Sequence, residues 1–498
     1  MKVSIRPALL PLLVAALFAC DGASLKAIIK NTVSPTPSGA AKWAMTVNPA
    51  TNASSFVAVA VDSSGNIYAA GTIYGGTFGF GNGVTATGVS SANAVLVKYN
   101  SSGLTQWAQT VSPAPSISSF SAVAVDSSSG NIYAAGSMNG GTFGFGNGVS
   151  AAGAFSSGAN VVLVKYNSSG LAQWAQSVSP APSSSNFNSV AVDSSGNIYA
   201  AGVIGINGSY GFGNSVTAAG TYSGANVVLV KYNSSGSAQW AQTVNPAPDA
   251  SSFNAVAVDS SSNIYAAGYI NTNGSFGFGN SITAAGAYSA SGGNLVLVKY
   301  NSSGLAQWAQ SVSPAPSSSN FNSVAVDSSG NIYAAGSIVT NGSYGFGNSV
   351  TAVGFDGTNV VLVKYNSSGL AQWAQTDSAS NSSNFNSVAV DSVGNIYAAG
   401  TIYGGTNGFG NGVTATGIFT IYNMVLVKYN SSGMAQWAQT DNPAPGKSWF
   451  YAVAVDSSGN VYAAGNINTY GTYGFGNGVT AVGAYASANN LVLVKYAP

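Results

Sequence analysis

An all-β chain closed into a ring of seven repeated units is the architecture this sequence predicts, and three observations carry the prediction. Seven aspartates, Asp62, Asp126, Asp193, Asp259, Asp327, Asp391 and Asp456, are separated by 64, 67, 66, 68, 64 and 65 residues. Seven tryptophans (Trp43, Trp107, Trp174, Trp240, Trp308, Trp373, Trp437) and seven lysines (Lys98, Lys165, Lys231, Lys299, Lys364, Lys428, Lys495) keep the same beat. Finally, the chain enters the repeat on a Trp phrase and ends on the Lys phrase that normally precedes it. Self-similarity at one period is the signature of a repeat fold.

The elements follow in order within each unit. FNSVAVD (Phe187–Asp193) and NIYAAG (Asn197–Gly202) are short apolar runs joined by a Ser-Ser-Gly turn; VVLVKY and LAQWAQSV are two more, joined by NSSG. Each pair reads as a β-hairpin whose glycine supplies the positive φ of a tight turn. The first three runs are apolar at nearly every position, a pattern of strands covered on both faces. Between the second and third runs lies a Gly-rich segment such as NGSYGFGNSVTAAGTYSGAN, read as a long loop. Four antiparallel strands per unit, stacked face to face seven times, describe a seven-bladed β-propeller over residues 42–498. Placing Lys42–Val47 beside Leu491–Tyr496 completes the last blade and removes two exposed edges. Two turns depart from the phrase: three serines separate Asp126 from Gly130, and Ser262 stands where the turn glycine belongs.

Ahead of the repeat, Lys2 and Arg6 precede an apolar run from Ala8 to Ala19, too short to span a bilayer and shaped like a secretory signal over residues 1–19. Leu17-Phe18-Ala19-Cys20 resembles the lipobox of bacterial lipoproteins, which implies lipidation of Cys20, the single cysteine, and a tether over residues 20–41. The expected location is a membrane-anchored lipoprotein at the cell surface, outer membrane or periplasm.

The units FNSVAVDSSGNIYAAG and NVVLVKYNSSGLAQW resemble the SBBP family of bacterial β-propeller repeats and, more distantly, NHL repeats. The resemblance implies the fold and says little of function, because propellers host binding, scaffolding and catalysis alike.

Antiparallel succession sorts the connections between two faces of the disc. The short, uniform turns DSSGN and NSSG share one face; the Gly-rich inserts and blade-to-blade loops share the other, where specificity is expected. The seven Asp and seven Lys fall near the tight-turn face. They read as Asx-type turn caps with Lys spanning to neighbouring carboxylates, rather than as a rim that recruits a partner. The seven Trp, on outermost strands, are expected to fill the widening gap between blades. On the loop face, Tyr222, Tyr288, Phe355, Tyr422 and Tyr485 sit among Ser, Thr and Asn and are the candidate ligand-contacting residues for a sugar or peptide.

Composition excludes much chemistry. Only 5% of residues are charged, every acid is Asp, and His is absent. That removes imidazole bases, catalytic triads and most zinc ligands. Propeller lyases of the virginiamycin-inactivating type rely on His and Glu that this chain lacks. The Gly-rich phrases precede no helix, so they are not dinucleotide fingerprints, and a formal charge of +1 gives no basis for holding nucleic acid. The expectation is therefore a monomeric, non-catalytic surface module without cofactor or metal, meeting a protein or glycan and touching the membrane through its lipid anchor. A self-packing envelope protein is the alternative, and a lyase or hydrolase propeller a remote one.

Overall fold

The computed structural model describes residues 38–89, 91–288, 292–378, 381–486 and 488–498. The expected signal, Cys20 and the tether as far as residue 37 lie outside these residues. Seven four-stranded antiparallel sheets form the blades of a seven-bladed β-propeller, with no helix among the described residues. In the third blade the spatial order is Ser185–Val192, Ile198–Ile204, Asn226–Tyr232 and Ala238–Thr243. Residues of all seven first strands line one central cavity of about 400 Å³, which makes those strands innermost.

Burial explains why the three inner runs are apolar throughout. Val227 through Val230 are all fully buried, because each blade is sandwiched between two others. The core accordingly lies between blades: Tyr133 and Leu163 of the second pack with Phe187, Ile198 and Val228 of the third. A corresponding cluster unites Tyr462 and Leu493 of the seventh blade with Phe56, Ile67 and Val95 of the first. The repeated Ala-Ala-Gly has a steric cause. A Cβ on Gly202 would lie 1.9 Å from the Asn186 carbonyl oxygen, where a bulge shifts the register between Phe187 and Ser189.

Closure follows the sequence expectation. Ala41–Thr46 pairs antiparallel with Asn489–Tyr496, Ala44 opposite Val494, and completes the seventh sheet. The ring nevertheless starts before residue 42: Ser38 bonds the Pro498 carbonyl, and Gly39 lies under the Trp437 ring as turn glycines do in other blades.

One expectation is corrected. The Gly-rich insert is a two-stranded hairpin in every unit, as where Gly208–Gly211 pairs with Thr217–Gly220. Its strands, Gly-bounded and mostly four residues long, are too short for alternation to be read from sequence. Phe212 stacks on Phe187 at 6.2 Å and Asn214, at φ 51°, donates to the Ala238 carbonyl, which folds the hairpin down over its blade.

Candidate functional site

The tight-turn face is engaged with itself. In the first blade, Asp62 Oδ1 accepts the amides of Ser64 and Asn66, while Oδ2 accepts Asn66 Nδ2 and the Tyr68 hydroxyl, at 2.8 to 3.0 Å. Asp193, Asp259, Asp327, Asp391 and Asp456 repeat the arrangement with Tyr199, Tyr265, Tyr333, Tyr397 and Tyr462. Partial burial pushes the Asp193 carboxyl up, but donors from Asn197, Tyr199 and Ser195 outweigh it and hold the group below the usual value. Ser262 adopts φ 59° and closes its turn as glycine does elsewhere, its hydroxyl reaching Asp193 of the preceding blade. In the second blade the additional serine turns Asp126 toward the hydroxyls of Ser128 and Ser129, and the Tyr133 hydroxyl is left without a partner.

The lysines differ from expectation. Lys98 does not reach for a carboxylate; its Nζ donates to the Ser168 carbonyl in the next blade's NSSG turn at 3.2 Å. Lys165, Lys231, Lys299, Lys364 and Lys495 likewise donate to serine carbonyls one blade on. Register decides this: Lys98 lies between Tyr68 and Trp107, 5.4 Å from the Tyr68 ring centre, and the adjacent turn's Ser168 carbonyl is within reach of both Lys98 and Trp107. Lys428 takes the same place over Tyr397. Trp107 Nε1 donates to that same Ser168 carbonyl, so the tryptophans fill the gap between blades and also bond across it.

On the loop face the five predicted aromatics are one to a blade and do not converge. Phe355 is 37% exposed, while Tyr222, Tyr288, Tyr422 and Tyr485 are half-buried. The device that shapes these loops is a fully buried Asn opening each third strand, which sequence reading passed over. Asn294 Oδ1 accepts the Tyr288 amide and its Nδ2 donates to the Tyr288 carbonyl, imitating a strand partner. Asn226, Asn359 and Asn490 clamp Tyr222, Phe355 and Tyr485 in the same way. In the sixth blade Asn423 clamps Phe419 in place of Tyr422.

Tyr422 instead joins a cluster. Its ring meets Tyr403 edge-on at 5.0 Å and Trp449 at 5.4 Å, with Lys447 Nζ 5.9 Å from its centre. Beside it a groove of about 160 Å³ runs between the fifth and sixth blades, lined by Thr358, Ser382, Ser383, Asn384, Thr401, Tyr403 and Tyr422. The corresponding groove one blade back, about 200 Å³, has Val339 where Tyr403 stands and Gly293 in the strand position of Thr358. A signal for the cluster was present in the sequence: Trp449 is the eighth tryptophan, off the repeat, where other blades carry Asn186, Asn320 or Asn384.

No family model matches the chain, and no curated protein matches it. Among solved structures, a protein of unknown function from Dyadobacter fermentans is similar over 93% of this chain and 100% of its own, at 10% identity and a TM-score of 0.42. The polysaccharide lyase Uly1 is similar over 89% of this chain and 90% of its own, at 9% identity and a TM-score of 0.42.

In chemical terms the groove offers hydroxyls, an amide and aromatic faces, with no carboxylate in its lining. Among the described residues no three acidic, Cys or His side chains come together to hold a metal. Such a surface stacks and hydrogen-bonds; a general acid paired with a base is not part of it.

Proposed function

We propose that this protein is an exported, non-catalytic binding module that takes a neutral glycan on its loop face, in the groove beside Tyr403, Tyr422 and Trp449. The observation that carries the reading is the pairing of that aromatic cluster with a wall of Ser, Thr and Asn. Aromatic faces suit the apolar face of a sugar ring, and short hydroxyl and amide side chains match its hydroxyls. The absence of His and Glu from the sequence supports a binding rather than a catalytic role. The apolar run ending at Cys20 supports export and a lipid anchor, a likeness to SBBP-type repeats being part of the same reading.

Titration of the purified protein against a panel of neutral oligosaccharides, followed by calorimetry, tests the site. Saturable binding that Tyr422→Ala and Trp449→Ala each abolish is the expected result. Absence of saturation across the panel, or binding indifferent to both substitutions, would overturn it. Incorporation of labelled palmitate, lost in Cys20→Ala, tests the anchor separately.

A further inference from the structure

We propose that the tight-turn face, opposite the groove, is a docking surface for a lipid bilayer. The residue after the glycine of each NSSG turn stands at one repeated position: Leu104, Leu171, Ser237, Leu305, Leu370 and Met434, with Ala40 completing the seventh blade. The four leucines and the methionine are 48 to 54% exposed. Nothing in the turn requires an apolar side chain there. The Asn233 amide bonds the Ser237 carbonyl at 3.0 Å just as Asn167 bonds Leu171, so serine closes the turn equally well. Val393, 77% exposed, adds a sixth apolar residue in the sixth blade's first turn, where other blades carry serine.

Turns of one length hold these tips at one height on a ring, which matches a flat partner rather than a groove. The choice of lipid comes from where the described chain begins. Ser38 and Gly39 replace the NSSG turn of the seventh blade on this face, so the tether from Cys20 joins the disc here. Cys20 is 18 residues upstream, a reach of no more than about 60 Å even when fully extended. A disc attached from that edge presents its apolar crown to the bilayer and its loop face away from it. Because the rim carboxylates and lysines already bond within the disc, the attraction is apolar and needs no anionic lipid.

Tryptophan quenching on neutral phosphatidylcholine vesicles carrying brominated chains reads this face directly. Seven of the eight tryptophans lie under the turns of this face and Trp449 lies on the other. The full chain should lose most of its emission. Replacing Leu104, Leu171, Leu305, Leu370 and Met434 together with Ser should reduce quenching by about tenfold, and Ser237→Leu should increase it. Since Ser237 is native at that position, the five substitutions leave the turns intact, which unchanged circular dichroism would verify. Equal quenching of wild type and variant, or none in either, overturns the proposal. So does a stable dimer that the variant abolishes without any lipid quenching, which would make the occupant a second copy. Glycan binding by the opposite face is untouched by any of these outcomes.

Discussion

Asp377 stands in the core position that Val312 fills one blade earlier, and it is 1% exposed. Val47, Val111, Val178 and Val244 hold the same place, and Asp441 takes it in the seventh blade. Neither carboxyl oxygen of Asp377 makes a hydrogen bond, and beside it in the repeat Asn407, also unpartnered, replaces the aromatic seen as Tyr344. Burying such groups costs stability where they go unpaired, and Asp441 has only its Oδ1 paired, by Thr440 Oγ1 at 3.3 Å. Asp377→Val combined with Asn407→Phe, and Asp441→Val alone, should each stabilise the ring by on the order of 2–4 kcal/mol. Urea denaturation at neutral pH measures this; a lower midpoint would show that the carboxylates are doing something the fold needs.

These two groups also set a pH dependence. Burial pushes the Asp377 carboxyl up to about 7 and that of Asp441 up to about 6, against 3.8 unperturbed. Between about pH 4 and 7 the unfolded chain releases protons that the folded chain retains, so stability falls as pH rises through that range. The turn carboxylates Asp126, Asp193, Asp259, Asp327 and Asp456 are held low by their donors and act oppositely, losing their contribution as pH drops below the ordinary value. Thermal melts should therefore peak near pH 4 to 5, at about the crossover of the two sets, and the valine variants should move that maximum upward.

Among the seven repeated tryptophans, indole hydrogen bonds tie blade to blade with one exception. Trp174 Nε1 donates to the Ser234 carbonyl at 3.2 Å, whereas Trp43 Nε1 is buried without a partner at the junction of the seventh blade with the first. Both rings lie against a turn glycine. Phenylalanine removes similar volume at each site, so Trp174→Phe should cost about 1 kcal/mol more than Trp43→Phe, the worth of one hydrogen bond. Denaturant midpoints of the two variants give the difference.

Deleting the chain through Val47 uncovers the edge of Asn489–Tyr496 and removes Ala41, Trp43 and Val47 from the clusters on either side of the seventh blade. A marked drop in melting temperature is expected, with partial recovery when a peptide spanning residues 38–49 is added. An unchanged melting temperature would contradict velcro-like closure.

The second blade tests the turn itself. Removing Ser128 restores the four-residue phrase and should return the Asp126 carboxylate to the Tyr133 hydroxyl, a gain of about 1 kcal/mol in the denaturant midpoint.

Much of the fold was legible because it repeats. Apolar runs of six to eight residues and glycine turns said strand and hairpin, and a chain entering on Trp43 and leaving on Lys495 said ring. The inserts were not legible, since a strand such as Gly208–Gly211 is too brief to show alternation. The candidate site was legible only at Tyr422. Its partners are Tyr403, just past the sixth blade's second strand and matched only by Tyr74 of the first blade, and Lys447 and Trp449 at the start of the seventh blade's first strand, which no other unit repeats.

Sequence by itself determined the blade count, the strand order and the closing strand, because each depends on local pattern and on chain connectivity. Tertiary structure decided whom the side chains meet. Lys98 faces a neighbouring turn instead of a carboxylate because three strands in register point it there. Asp377 is an acid in a valine's place because only packing between blades makes that position core. Contacts between blades such as these join residues 61 and 70 positions apart, and no local pattern in the chain encodes them.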